Sequence, residues 1–392
     1  MKQGRATQYL LGIGSLILAL GLGPATQAWQ VLHLERAQTE RIPAAEFSRV
    51  IREFSEDDGF FRSDNFVSNE TSYLHILDRL KELGDSGGAY LGVGPEQNFT
   101  YIAKIRPRIA FIIDIRRQAM IQHLLFKAIF HLSEDRPLFL SYLLSKPLAG
   151  EDVPDNATPL PELLDYFAEA PATEEAFSEN LARIQKIIEE EFQFPLSGTD
   201  KGLLEKIYLA FREEGLNIQY RSTGGGNWTN YQWSRFPTLK DLALETDLHG
   251  KMGNFLASDE DYAFVRGMHL RNRIIPIVGD FAGPKALLAV GDYLRKNGYT
   301  VTAFYTSNVE QYLFSNGVFG NFTQNVRRLP ITEKSVFIRA FPNMGEPHPA
   351  RISGHRLTTL LQMMSVFLLD VEHHLYSDYW TLVSTHFIAA QP

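Results

Sequence analysis

The 392-residue chain contains 38 Lys and Arg residues against 46 Asp and Glu residues, a formal net charge of −8 at pH 7. This acidic balance gives no electrostatic basis for binding nucleic acid, so nucleic acid is not expected as a partner. The absence of cysteine excludes disulfides, thiolate metal sites and a cysteine nucleophile. The histidines lack a recognised ligand spacing, and the P-loop and Gly-x-Ser-x-Gly patterns are absent, so neither a metal site nor a serine-hydrolase motif is expected.

The N-terminus has the three parts of a secretory signal peptide. A short basic region precedes an uncharged apolar run at residues 9–23, and the small residues Thr26 and Ala28 occupy the positions that a signal peptidase inspects. The apolar run is shorter than the ~20 residues that span a bilayer comfortably. Residues 1–28 are therefore predicted to be a cleaved signal peptide, which makes the protein exported, periplasmic and free of a stable membrane span. The alternative is a segment that remains as a membrane anchor.

Residues 29–86 are predicted to contain a linker and N-terminal helices. Residues 42–56 have apolar positions at helical spacing. Residues 55–71 are rich in Asp, Asn and Ser, which predicts a loop, and residues 72–84 have the pattern of one amphipathic helix that stops at a glycine.

The core domain is predicted to span residues 87–392. It begins with a short apolar strand at residues 89–94, a helix at residues 95–107 and a strand at residues 108–115. The second strand is apolar on both faces, as parallel strands between helices are. A strand–helix–strand order implies a right-handed crossover and a parallel sheet.

Three more core strands are predicted much later, at residues 273–281, 299–308 and 335–341, each followed or preceded by helical patterns. A long helix at residues 356–371 and an antiparallel edge strand at residues 379–388 are predicted to close the chain.

Residues 118–261 depart from this alternation, because they contain several helical patterns in succession. The predicted fold is therefore α/β: a Rossmann-like, doubly wound, mostly parallel sheet with a large helical insertion after the second core strand. An insertion at the carboxyl edge of a sheet is a candidate lid or substrate platform.

A glycine turn follows the first core strand, at Gly92 and Gly94. It would let a ligand approach the backbone and the start of the next helix, where Glu96 and Asn98 lie. Asp114 ends the second strand about 20 positions later, where an acid can bind the ribose hydroxyls of a nucleotide. These five residues are candidate cofactor ligands. The alternative is a purely structural turn, with Asp114 capping a helix or pairing with a neighbouring arginine.

Glu96 restricts the kind of nucleotide that could bind at the glycine turn. It stands where dinucleotide-binding turns have a third glycine, and its charge would repel a pyrophosphate. A carboxylate there tolerates a cationic ligand such as S-adenosylmethionine, with its sulfonium and α-amino groups. The local charge therefore favours adenosylmethionine over NAD.

Two later strand ends add candidates. Asp280 and Phe281 end the third core strand, where an acid and an aromatic ring could bind and cover an adenine; the alternative is a helix N-cap. After the fourth strand, Ser307, Asn308 and Gln311 are candidate substrate ligands, with helix capping as the alternative.

Catalytic candidates are Asn308, Tyr312 and Tyr73, each of which could orient an acceptor. Tyr73 belongs to a pre-core segment, "SNETSYLHIL", which also contains Glu70 and His75 and fits either cofactor covering or an ordinary helix start.

Residues 90–117 ("YLGVGPEQNFTYIAKIRPRIAFIIDIRR"), together with "VGDFAGPKAL" and "FYTSNVEQYLF", resemble an uncharacterised bacterial family with a class I S-adenosylmethionine-dependent methyltransferase-like fold. By this resemblance the Gly92/Gly94 turn would take the methionine part of the cofactor, Asp114 the ribose, and Asp280 and Phe281 the adenine. The sequence departs from the methyltransferase pattern at Tyr90, where an acid is usual, and it lacks an Asn-Pro-Pro-Tyr motif after the fourth strand.

Two main hypotheses follow. One is an adenosylmethionine-dependent methyltransferase with an unknown small-molecule acceptor. The other is an exported, non-catalytic binding protein on a methyltransferase-like scaffold, with an aromatic loop around Trp228 and Trp233 as its ligand surface. Export favours the second hypothesis, because adenosylmethionine is made in the cytosol. A nicotinamide oxidoreductase is a third and weaker alternative.

Overall fold

The computed structural model describes residues 41–83, 87–221, 236–343 and 347–390. The predicted signal peptide and the aromatic loop around Trp228 and Trp233 lie outside the described residues.

One six-stranded sheet is formed by the described residues. Its strands are β1 (Ala89–Gly92), β2 (Ile109–Asp114), β3 (Ile274–Val278), β4 (Val301–Ser307), β5 (Ile331–Pro342) and β6 (Leu357–Met363). Their spatial order is β3-β2-β1-β4-β5-β6; β1 to β5 are parallel, and β6 is antiparallel to β5. The predicted α/β fold with a mostly parallel sheet is confirmed, and it is compatible with a Rossmann-like fold.

The strand order has a switch point between β1 and β4. The chain adds β2 and β3 on one side of β1, and then adds β4, β5 and β6 on the other. In sheets of this kind the crevice at the carboxyl ends of the two central strands is the usual ligand site. β1, β2 and β3 are buried along their whole lengths, as their apolar sequences require.

Helices precede and follow the strands in chain order. Those ahead of β3 are α1 (Ala44–Phe54), α2 (Leu77–Leu83), α3 (Gln97–Ile105), α4 (Arg117–Leu132), α5 (Arg136–Leu144), α6 (Leu160–Glu169), α7 (Glu174–Lys186), α8 (Gly198–Glu214), α9 (Leu239–Leu244) and α10 (Asp259–Leu270). Those after β3 are α11 (Ala286–Lys296), α12 (Val309–Ser315), α13 (Phe319–Arg327), α14 (Met364–Glu372) and α15 (Tyr379–Ser384).

Helices α4 to α10 all lie between β2 and β3 in the chain. α4 is buried from Ala119 to Phe130, because it packs against the sheet and against other helices. Its Phe126 and Phe130 each contact Phe99 of α3 edge-on, with ring centroids 5.4 Å apart. This aromatic cluster joins the helices after β2 to the helix that follows the glycine turn.

Two predictions for the C-terminal part were wrong. Residues 356–371, predicted as one helix, form strand β6 followed by α14. β6 is buried along nearly all of its length, and a short apolar run that is buried on both faces has no periodicity to separate strand from helix. Residues 379–388, predicted as the edge strand, begin with helix α15, and from this stretch Ile388 forms an isolated bridge with Leu361.

The single helix predicted at residues 72–84 is also interrupted. Thr71–Leu74 form a 3-10 turn, and α2 begins only at Leu77. The Ser72 hydroxyl donates to the carbonyl of Leu357 at 2.8 Å, so the turn is held against β6 by tertiary contacts that its own sequence does not show.

Within the described ranges, no helix is both long enough and apolar enough to cross a membrane.

Candidate functional site

The glycine turn after β1 is filled by neighbouring side chains. Gly94 has φ of +78°, which favours glycine. A Cβ on Gly92 would lie 2.0 Å from Oδ1 of Asn98, so Gly92 is needed for internal packing. Asn98 donates from Nδ2 to the carbonyls of residues 93–95 at 2.8–3.1 Å, and its Oδ1 accepts from the Tyr90 hydroxyl at 2.8 Å. Asn98, a predicted cofactor ligand, thus has both polar atoms of its amide engaged by the turn and Tyr90.

Asp114 is held by Arg116. The guanidinium donates from Nε to Oδ1 at 3.0 Å and from Nη2 to Oδ2 at 2.9 Å, and both side chains are buried. Burial alone would raise the pKa of Asp114, but the charge of Arg116 outweighs it and lowers the pKa below its ordinary value. Arg116 also donates to the carbonyls of Ser63 and Asp64. Asp114, the predicted ribose ligand, therefore accepts from Arg116 through both carboxylate oxygens, and residues 63–64 contact the same guanidinium.

The backbone of the segment after β3 binds the carboxylate of Glu56, a residue from much earlier in the chain. Glu56 accepts backbone N–H groups from Asp280, Lys285 and Ala286 at 2.8–3.0 Å, at the start of α11. A Cβ on Gly283 would lie 2.4 Å from Oε2 of Glu56, so the backbone packs directly on this carboxylate.

Of the two predicted adenine ligands, Asp280 is partly exposed and Phe281 is buried. Asp280 accepts from the backbone N–H of Ala282 at 2.8 Å within its own turn. Phe281 is 3% exposed and packs in the core, 4.8 Å from the ring of Phe304 and 6.1 Å from that of Phe322.

One stretch, Ser55–Glu70, runs along the carboxyl edge of the sheet, and we call it the edge segment. Glu56 bonds to the carbonyl of Val278 at the end of β3, and Gly59 bonds to the carbonyl of Ile115 just after β2. Its later contacts reach α4, the glycine turn, α3 and the end of β4, through Asp58, Asn65, Ser68 and Glu70. The chain itself therefore occupies the edge where Rossmann-like folds bind nucleotides.

The edge segment ends in a buried polar cluster at the switch point. Glu70 is 1% exposed; its Oε1 accepts from the hydroxyls of Tyr305 (2.8 Å) and Ser307, and its Oε2 accepts from Nε2 of Gln97 at 3.2 Å. Gln97 also donates to the Tyr101 hydroxyl at 3.3 Å. Burial raises the pKa of Glu70 above its ordinary value, although the three donors oppose this.

Ser307 joins this cluster to the surface. It is partly exposed and has φ of +54°, which is rare for a residue with a side chain. Asn308 lies beside it, with Oδ1 3.4 Å from the Ser307 hydroxyl. On α12, Gln311 is exposed, and Tyr312 is 41% exposed and meets the Phe61 ring edge-on at 5.1 Å. The structure therefore brings together the four candidates predicted after β4.

Tyr73, the third catalytic candidate, bonds to a part of the chain between β2 and β3. Its hydroxyl donates to the carbonyl of Leu242 at 2.8 Å and accepts from Nδ2 of Asn254 at 3.1 Å, so it bonds to the helices between β2 and β3. These bonds of the Tyr73 hydroxyl involve neither Asn308 nor Tyr312.

Glu96 faces a small internal cavity. Its Oε1 accepts from the backbone N–H of Ser68 at 3.2 Å, while its Oε2 is buried without a hydrogen-bond partner among the described residues. Burial raises the pKa of Glu96 to about 7. The cavity measures about 20 Å³, room for a single water, and is lined mostly by apolar side chains together with Asn254. Glu96 therefore lies behind the edge segment.

Sequence reasoning missed the roles of Glu56 and Gln97. Glu56 lies at the end of a helical pattern and has no motif around it, so the sequence holds no signal for its contact with α11. Gln97 stands in the turn motif, but its bond to Glu70 depends on a residue 27 positions earlier. Among the described residues, no group of three or more His, Cys, Asp or Glu side chains could hold a metal ion.

The model of one protein family, Domain of unknown function (DUF7790), matches residues 65–148 and 162–387 of the chain. No curated protein sequence matches the chain. The family match includes the end of the edge segment, the glycine turn and the whole sheet, and it covers well over half of the chain. The protein therefore belongs to the family described as Domain of unknown function (DUF7790).

Proposed function

We propose that the protein is an exported small-molecule-binding protein on a Rossmann-like scaffold whose nucleotide crevice is closed by its own chain. One observation carries this proposal: the edge segment follows the carboxyl ends of β3, β2, β1 and β4 and engages the groups that a nucleotide would need. Asp114 is paired with Arg116, and Glu56 fills the backbone N–H groups after β3. The predicted signal peptide supports export.

The ligand surface in this proposal is the region at the end of β4. Ser307 and Asn308 are partly exposed there, beside the exposed side chains of Gln311 and Tyr312. Phe61 packs against Tyr312 and extends the aromatic area. Amide, hydroxyl and aromatic groups suit a small, uncharged ligand, because they supply hydrogen bonds and apolar contact without a countercharge.

Calorimetric titration with adenosylmethionine and adenosylhomocysteine tests the closed crevice. No heat is expected up to millimolar ligand, because the nucleotide-binding groups are occupied.

Saturation-transfer NMR with small neutral amides tests the surface at the end of β4. We expect signal that is lost in Tyr312→Ala and kept in Leu369→Ala, a control at an exposed apolar residue of α14. Micromolar binding of adenosylmethionine, or equal signal in both variants, would contradict the proposal.

Adenosylmethionine-dependent methyl transfer is the second candidate function. One observation favours it: at the switch point, buried Glu70 accepts from Ser307 and from Gln97, which starts the helix after the Gly92/Gly94 turn, and class I methyltransferases bind their cofactor and acceptor at this place. Asp114 would then bind the ribose, Asp280 and Phe281 the adenine, and Asn308 or Tyr312 the acceptor. This function requires the edge segment to move away. Heat on adding adenosylhomocysteine, together with increased hydrogen exchange in residues 55–70, would support it over the first.

Export itself has a direct test. Fractionation of the producing cells and N-terminal sequencing of the protein should find it in the periplasm, with a mature start near Trp29. An unprocessed chain in the membrane fraction would favour the anchored alternative.

A further inference from the structure

Ser307 stands at a strand-to-helix turn in a conformation that serine rarely adopts. β4 ends at Ser307 with φ of +54°, and α12 begins two residues later at Val309. The pairing of β4 with β5 also shifts between Tyr305 and Ser307, which marks a local irregularity of the kind that redirects a side chain. α/β hydrolases also place their nucleophile at a sharp strand-to-helix turn.

The sequence around Ser307 lacks the Gly-x-Ser-x-Gly pattern of those enzymes. Tyr305 and Val309 occupy the two positions that the pattern gives to glycine. The Tyr305 side chain is buried and bonds to Glu70, so it adds to the cluster instead of obstructing the turn. Ser307 therefore lies at a strand-to-helix turn of this kind without the Gly-x-Ser-x-Gly sequence.

The Ser307 hydroxyl donates to a buried carboxylate. Its partner is Oε1 of Glu70, which is 1% exposed. The Tyr305 hydroxyl and the Gln97 amide also donate to Glu70, so all three contacts suit an acceptor carboxylate and hold it in place. A nucleophile bonded to a base that other groups orient is the arrangement of nucleophilic catalysis.

We propose that Ser307 is a nucleophile with Glu70 as its general base, and that the surface at the end of β4 takes small carboxylic esters. This inference rests on the proposed function, because it uses the same surface, and it names the substrate class. Glu70 and Ser307 are the catalytic residues, while Tyr305 and Gln97 are positioning residues that fix the carboxylate.

The reaction balances with water as the second substrate. The Ser307 Oγ attacks the ester carbon as its proton passes to Glu70, and Glu70 then protonates the departing alcohol as the carbon–oxygen bond breaks. Water attacks the resulting acyl-serine, gives its proton to Glu70, and the acid leaves as that proton returns to Ser307. The products are one alcohol and one carboxylic acid.

Neighbouring groups supply the remaining contacts. Asn308 lies next to Ser307, and its Oδ1 accepts from the Ser307 hydroxyl at 3.4 Å, so its side chain borders the place where an ester would bind. Tyr312 and Phe61 form a partly exposed aromatic pair that suits a short acyl or alcohol group. The burial that raises the pKa of Glu70 also makes it a stronger base than an exposed glutamate.

Labelling of the purified full chain with a fluorophosphonate probe tests the proposal, with the site read by peptide mass spectrometry and p-nitrophenyl acetate hydrolysis followed in parallel. We expect label on Ser307 and none in Ser307→Ala. Glu70→Gln should slow labelling by about 100-fold or more, the usual contribution of a general base. Ser315→Ala is the matched control, because Ser315 is exposed on α12 and its hydroxyl donates to the carbonyl of Gln311 in the same helix; its labelling should equal that of the wild type.

A second measurement avoids dependence on the folding of the variants. The labelling rate of the wild type should rise with pH through a midpoint above the ordinary glutamate pKa, as Glu70 loses its proton. A flat profile, equal labelling of Glu70→Gln, or label on other serines alone would overturn the inference. If N-methylacetamide binds in saturation-transfer NMR while Ser307 stays unlabelled, this inference fails and the proposed binding surface stands. If neither occurs, both fail.

Discussion

Asp114 shows how one neighbour changes the role of a side chain. Its position at the end of β2 suits a ribose ligand, and sequence reasoning named both that role and pairing with an arginine as possible outcomes. In the folded chain both of its oxygens are bound by Arg116, which residues 63–64 then cover. Arg116 is a local neighbour that the sequence shows, whereas the cover that residues 63–64 add comes from about 50 residues earlier and is not encoded locally.

Arg116→Ala should lower the free energy of unfolding by about 3–5 kcal/mol, because it leaves the buried Asp114 carboxylate without its countercharge. Urea denaturation at pH 7 measures the change. Arg79→Ala serves as the control, since Arg79 forms an exposed pair with Glu82 and should cost about 0.5 kcal/mol. Similar losses in the two variants would show that Asp114 is not electrostatically dependent on Arg116.

Ser307 permits a comparison of two substitutions that both remove its hydroxyl. Ser307→Gly should be more stable than Ser307→Ala by about 1 kcal/mol, because only glycine adopts φ near +54° without a steric cost. The difference in thermal midpoint between the two variants measures this. An alanine variant at least as stable as the glycine variant would mean that the turn relaxes on losing the hydroxyl.

At the scale of elements, the sequence predicted the five parallel strands and the helix after the glycine turn, because apolar runs there alternate with helical patterns. It failed for β6, which continues into α14 without a break, and for α15, because tertiary pairing decides the structure there. The edge segment was predicted only as a loop. Its polar composition is typical of a loop, and its course along the sheet follows from contacts with strands that are distant in the sequence.

Glu56 tests the attachment of the edge segment. Glu56→Gln should lower the free energy of unfolding by about 1–2 kcal/mol, because a negative charge at the start of α11 is replaced by a neutral group. Chemical denaturation provides the measurement. Glu53→Gln, at an exposed glutamate of α1 that pairs with Arg49, is the control and should change stability by about 0.5 kcal/mol or less. A loss no greater than that of the control would argue against Glu56 as an anchor.

At the scale of the whole molecule, buried histidines make the fold sensitive to acid. His123 is 2% exposed and its Nε2 lies 2.8 Å from the Gly94 carbonyl; burial lowers its pKa to about 4. His75 packs 4.4 Å from the ring of His355, and burial also lowers the pKa of His75 to about 4. The folded state therefore keeps these rings neutral, whereas the unfolded chain binds their protons near pH 6.5.

The neutral, buried ring of His123 stabilises the folded state less as the pH falls. Because the folded pKa of His123 is lower than the unfolded one, its contribution to stability is complete above pH 6.5 and is lost as the pH falls toward 4. His123→Gln, which can still donate to Gly94, should reduce the loss of stability between pH 7 and pH 4 by about 3 kcal/mol. Urea titrations at several pH values measure this, with the exposed His249 as the site of a His249→Gln control. Parallel profiles for wild type and His123→Gln would contradict the prediction.

The edge segment also constrains the order in which the chain can fold. Its residues are synthesised, and in the proposed export cross the membrane, before their partners. Glu70 bonds to Ser307, 237 positions later, and Ser72, two residues beyond the segment, bonds to Thr359, 287 positions later. Contacts this distant in sequence form slowly, because a long loop must close before they contribute. We therefore expect closure of the crevice at the end of β4 to be a late step of folding, made by a segment that is synthesised before all of the strands it covers.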